Sequence, residues 1–207
     1  MACPEGRTQD GFERQYSINF LSHFLLFKLL EPAILKGSTP VFNSRVVMVA
    51  SAGHTVSQVE FDNTLLEGIY EPWKAYGQAK TAEIWMANYI DRVYGPRGVH
   101  ATSLHPGGIW SNLQQHIDPA QMEKWKSNPD TDKLMKNPAQ GAATTLWAAV
   151  GTVWEGKGGK YLQNCSVAEP VDGVDLVSGR HAKWVYAPES EDKLWQLATG
   201  QVQKWLA

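Results

Sequence analysis

Residues 45–51, Arg-Val-Val-Met-Val-Ala-Ser, decide the fold. The run is short, continuously apolar and rich in β-branched valine. That pattern marks a strand covered on both faces, as in a parallel sheet. Helical periodicity surrounds it. Before it, Phe20, Phe24, Phe27 and Leu30 repeat at helical spacing, predicting a helix over 11–35 with Asp10 or a neighbour as its cap. After it, a polar loop leads to a helix over 72–94, which Gly95-Pro96 breaks. Residues 99–104, Val-His-Ala-Thr-Ser-Leu, predict a second strand, ending at His105-Pro-Gly-Gly. Residues 112–137 are polar and irregular, with helical patches near Met122 and Leu134. Pro138 suits the first turn of a helix through Val150. A third strand is expected over 159–163 and a last helix over 189–206. Strands alternating with helices of this length predict an α/β fold around a parallel sheet.

The chain has 207 residues, with no internal repeat or linker, and reads as one domain over 1–207. Its 43% hydrophobic and 19% charged content excludes disorder. A formal net charge of −2 leaves no electrostatic footprint for nucleic acid or an anionic membrane. The longest apolar run, 20–30, contains Ser22, His23 and Lys28 and is too short for a membrane span. No signal-peptide core is present, and two cysteines, Cys3 and Cys165, make no disulfide framework. A reducing, cytoplasmic setting is the expectation. The six histidines show no metal-ligand spacing, so no metal is expected.

The chemistry centres on Tyr76-Gly-Gln-Ala-Lys80. Positions i and i+4 share a helix face, which sets a phenol beside an ammonium. A free tyrosine is roughly one part in a thousand ionised at neutral pH, and a nearby cation favours the phenolate. Lowering its pKa by about three units needs about 4 kcal/mol, more than one exposed pair supplies. Such a pair suits general acid–base work on an alcohol or carbonyl. It is equally the spacing of a tyrosine lying over a helical lysine. Ser51 ends the first strand, where ligands of open α/β sheets bind, or is an ordinary turn serine. The paired glycines after His105 land on the same edge and allow close backbone approach to a flat ligand. Asn19 is a misfit within an apolar helix; it is a satisfied core residue or marks a water or a kink. Trp85 and Trp147 suit core packing, whereas Trp110 and Trp125 flank the expected substrate loop.

Taken in order, Asn19, Ser51, Tyr76 and Lys80 resemble the active-site residues of the short-chain dehydrogenase/reductase family. The segments Ala75-Tyr-Gly-Gln-Ala-Lys80, Leu104-His-Pro-Gly-Gly-Ile109, Gly158-Gly-Lys-Tyr-Leu162 and Lys193-Leu-Trp195 resemble later motifs of the subgroup holding retinol dehydrogenases, the WW-domain oxidoreductase and many fungal reductases. The 25 positions from Ser51 to Tyr76 are compatible with that subgroup. The resemblance implies an NAD(P)-dependent oxidoreductase interconverting an alcohol and a ketone or aldehyde. Tyr76 would exchange a proton with the substrate oxygen. Lys80 would lower the tyrosine pKa and bind the nicotinamide ribose. Ser51 would polarise the carbonyl, and Asn19 would support a proton relay through water. Gly107, Ile109 and Ser111 would meet the nicotinamide. NADP is the implied cofactor, with NAD the alternative. The partner is a small-molecule alcohol or carbonyl, and a homo-oligomer is left open. Fungal relatives imply a role in secondary metabolism.

The sequence departs from the family at its start. It has no Gly-rich phosphate-binding turn of the kind the family places after its first strand. Met1-Ala-Cys-Pro resembles residues that follow the family's fourth strand. The resemblance therefore implies a Rossmann-like, doubly wound sheet lacking its first strands and helices. It leaves an alternative, a catalytically impaired module that acts through a partner subunit.

Overall fold

A computed structural model describes residues 1–206. Its elements run α1 (Arg14–Gly37), β1 (Ser44–Val49), α2 (Pro72–Tyr94), β2 (Val99–His105), α3 (Pro119–Ser127), α4 (Pro129–Leu134), α5 (Pro138–Val150), β3 (Tyr161–Gln163), β4 (Ser166–Val167) and α6 (Pro188–Val202). The sheet order is β1-β2-β3-β4. The first three strands are parallel, with Val46 facing Ala101 and Ser103 facing Tyr161. β4 pairs antiparallel to β3, so the sheet is mixed rather than wholly parallel. The reversal runs through Asn164 and Cys165, both at positive φ (46° and 54°).

Helices cover both faces, as a doubly wound sheet requires. On one face α1, α2 and α6 pack a core of Phe20, Phe24, Phe27, Met48, Trp85, Ile90, Val99, Ala101 and Leu194. On the other, α5 covers Leu104, Leu162, Ala148 and Trp154. Alternate residues of one strand thus serve opposite cores, which is why 45–50 reads as continuously apolar. Trp85 is buried, and Trp147 is half-buried edge-on to Trp154.

α1 begins later than expected and is capped by Glu13, not Asp10. The Glu13 carboxylate accepts from the N–H groups of Gln15 and Tyr16 at 2.8 and 2.6 Å. Glutamate reaches N–H groups two and three residues ahead because its longer side chain folds back over the helix end. Asp10 instead pairs with Lys204. Residues 17–21 form a π turn, and Asn19 sits inside it. By length and composition alone α1 is long and apolar enough to cross a membrane, a test that a core helix also passes, so it makes no clear membrane span. Its aromatic side is spent on the core, while Ile18, Leu26, Leu29 and Leu30 are exposed.

Candidate active site

The site sits at the carboxyl ends of β1 and β2, where α2 enters the sheet. Pro72 at its first turn suits the start of α2, and residues 75–88 are buried throughout. Close approach is made by two glycines. A side chain on Gly77 would meet Gly53 O at 2.8 Å, and one on Gly53 would meet the Tyr76 ring at 2.7 Å. These two hydrogens let α2 lie directly on the short 3-10 turn, Ala52–Val56, that follows Ser51.

Ser51, Tyr76 and Lys80 are brought together. Tyr76 is 3% exposed and Lys80 8%. The Lys80 ammonium lies 5.7 Å from the Tyr76 ring centre. The Ser51 oxygen accepts from Gly53 N–H at 3.1 Å, which leaves its O–H to donate. The Ser51 hydroxyl favours the ionised Tyr76 phenol. Two histidines hold this turn in place. The His54 ring is bonded to Ser51 O at 2.6 Å through Nδ1 and accepts from Ala182 N–H at Nε2. His105 Nδ1 accepts from Ala52 N–H at 3.1 Å. Burial holds both rings down at about 4, so they work as neutral spacers.

The sequence reading did not include Glu83, one helical turn beyond Lys80. Its carboxylate is 4% exposed and takes the Lys80 ammonium at 2.8 Å, while Val49 O takes a second bond at 3.0 Å. Spacing of i,i+3 was the available signal. Glu83 changes the electrostatics expected at Tyr76. Burial pushes the phenol above its ordinary value; Lys80 and Ser51 pull it back, and Glu83 pushes it further up. For Lys80, burial works against the charge, yet Glu83 and Tyr76 raise its pKa overall. The expected lowering of the tyrosine is therefore not its net state here.

Asn19 is placed on a helical kink. Its amide donates to Gln15 O at 2.8 Å and its own carbonyl is bonded to His23 Nδ1. These bonds engage α1 itself rather than Ser51, Tyr76 or Lys80. Gly107 has φ +100°, and the end of the Lys136 side chain lies over it. Lys136 donates to Pro106 O at 3.1 Å and Asn164 Oδ1 at 2.7 Å. The Ile109 side chain packs under Gly141, and its carbonyl accepts from Gln114. Ser111 caps the short turn 112–114. Aromatic rings border the site. Trp73 stands edge-on to Tyr76 at 5.9 Å and to Trp125 at 6.4 Å. Trp110 carries Lys126 over its face. Among the described residues, no group of His, Cys, Asp and Glu is placed to hold a metal ion.

An α/β sheet with a tyrosine, lysine and serine gathered at its carboxyl edge defines a class, the Rossmann-type oxidoreductase scaffold. No family profile matches the chain. It is 55% identical over 198 residues to the short-chain dehydrogenase/reductase prx1 of Penicillium roqueforti, covering 96% of this chain and 58% of that one. A solved Mycobacterium paratuberculosis protein matches with a TM-score of 0.63 at 25% identity, covering 98% of this chain and 63% of that one. A Pseudomonas aeruginosa RhlG/NADP active-site complex matches in fold, with a TM-score of 0.53 and 18% identity, over 71% of this chain and 53% of that one. The chain belongs to the short-chain dehydrogenase/reductase family. It spans less than two thirds of the length of these relatives.

Proposed function

We propose that this chain carries the catalytic half of a nicotinamide-dependent oxidoreductase that interconverts an alcohol and a ketone or aldehyde. One observation supports this most: a buried Tyr76 flanked by the Ser51 hydroxyl and the Lys80 ammonium at the sheet's carboxyl edge. Ser51 donates to the substrate oxygen and orients it. Tyr76 exchanges a proton with that same oxygen, and Lys80 steadies the phenol's charge. Asn19 is assigned the relay of protons toward solvent through the kink in α1.

The residues fit a nicotinamide. Lys80 has three donors and spends two on Val49 O and Glu83, leaving one for a ribose hydroxyl. The turn at Gly107, Ile109 and Ser111 is the proposed contact for the flat amide; the side-chain ends of Lys136 and Met135 lie over Gly107 and Gly108, and Ile109 O and Ser111 N–H are bonded to the Gln114 side chain. When bound, the cofactor supplies or takes the hydride. NADP is preferred to NAD on likeness to the family. The bordering tryptophans favour an apolar, ring-bearing carbonyl or alcohol. A cytoplasmic setting is proposed from the two unpaired cysteines, and a role in secondary metabolism from family likeness. Residues 1–207 are treated as one domain.

Nicotinamide absorbance at 340 nm, followed over a panel of ring ketones and alcohols, tests this reading. Tyr76→Phe should lower kcat about 10²–10⁴-fold with the fold intact. No turnover by the unaltered chain would overturn it.

A second reading draws on the edge of the sheet. β1 is hydrogen-bonded to β2 alone among the described strands, and Val41, Phe42 and Val49 near it are exposed. On that reading the chain acts as a module seated against a partner subunit. It predicts stable association and no turnover without the partner.

A further inference from the structure

Lys80 is held by a buried anion. Its ammonium sits between Val49 O and the Glu83 carboxylate, and the bond to Glu83, at 2.8 Å, is the shorter. Lys80 and Glu83 lie one turn apart on α2, so the pair is preset by the helix before any ligand arrives. Glu83 has no other ion-pair partner among the described residues, and Lys80 is its single hydrogen-bonded contact there. A charge this deeply buried is costly unless it serves a partner. Here that partner is the cation expected to act on Tyr76.

We propose that Glu83 is a positioning residue: in its ionised form it anchors Lys80 and offsets its charge, which favours the protonated Tyr76 that donates to a carbonyl. The proposal rests on the oxidoreductase reading and adds the direction in which the site is set. Reduction needs the phenol protonated, because the substrate oxygen takes that proton as the adjacent carbon takes hydride from a reduced nicotinamide. Oxidation needs the phenolate. A lysine acting alone would pull Tyr76 toward phenolate, and Glu83 cancels part of that pull.

The neighbouring groups pull in both directions. On α2 the group facing the Lys80–Glu83 pair is Tyr76. From β3 comes Tyr161, which is influenced by Tyr76, Glu83, Asp175 and Tyr186. From β1 there is only the Val49 carbonyl. From the turn after β1 there is Ser51, which favours the phenolate. The Met1 amino group faces Lys80 from residues preceding α1. Burial pushes Glu83 itself up to about 7, against the pull of Lys80.

Tyrosine ring-carbon NMR on the full chain without cofactor provides the test, with the Tyr76 signal assigned by its loss in Tyr76→Phe. In Glu83→Gln the Tyr76 midpoint should fall by about one pH unit. Glu83→Asp should bring it back toward the unaltered value. A merely structural Glu83 would change thermal stability and leave the midpoint in place. If the amide variant fails to fold, Glu83→Leu removes the charge without leaving a polar group to satisfy, and the same fall is expected. An unchanged or higher midpoint overturns the proposal. That result leaves the oxidoreductase reading standing, whereas absent turnover with a lowered midpoint sinks the oxidoreductase reading alone.

Discussion

Two residues close to Ser51 hold it by hydrogen bonds, Gly53 through its N–H to the Ser51 oxygen and His54 through its ring to the Ser51 carbonyl. Gly53 is the sharper case. A methyl group there would press into the Tyr76 ring at 2.7–2.8 Å, closer than carbon atoms tolerate. Gly53→Ala should therefore displace the phenol, lowering kcat about tenfold or more and lowering Tm by several degrees, as overpacking by about 1–3 kcal/mol does. Steady-state kinetics beside a melting curve checks both. His54 governs through protonation. Its ring is neutral in the fold because burial holds it near 4, against 6.5 for an exposed histidine. Both states are neutral above 6.5, so His54 is silent there. As pH falls from 6.5 toward 4, the unfolded chain binds a proton that the folded chain refuses. Stability should drop by a few kcal/mol over that window. Urea unfolding at pH 7 and pH 4.5 measures it, and His54→Gln should flatten the slope.

The elements show where local chemistry was readable and where it was not. α1 depends on its cap: Glu13→Ala removes the acceptor for two N–H groups and should cost about 1 kcal/mol by chemical unfolding. That cap was not legible, because aspartate and asparagine are the usual candidates and Asp10 lay nearby. The strand at 45–50, the helix over 72–94 and the pairing of Tyr76 with Lys80 were legible, since each rests on periodicity within one element. The kink at Asn19 was readable only as a misfit of residue type. Glu83 was hidden for a different reason. Its charge is ordinary on a helix surface, and only the packing of α1, α6 and the sheet around α2 makes it a buried anion. β4 escaped because a two-residue strand carries no periodicity. The Lys136 contact joins residues 30 positions apart in the chain, a distance that spacing rules do not span.

At the scale of the molecule, the sheet ends abruptly at β1. The outer edge of β1 has no strand beside it among the described residues, and Val49 is 44% exposed. Open apolar edges pair with other edges. The chain should therefore sediment as larger species than its 23.0 kDa monomer, and Val49→Lys should shift the population toward monomer. Lys136 works at the same scale. It ties the end of β2 to the turn between β3 and β4, across the very glycines a ligand would use. If a ligand seats at that turn as proposed, its arrival is an exchange and not a simple filling of space. The lysine must swing away first, giving up two hydrogen bonds. Association then has a ceiling: stopped-flow rates should level off at high ligand concentration, at the frequency with which Lys136 lets go.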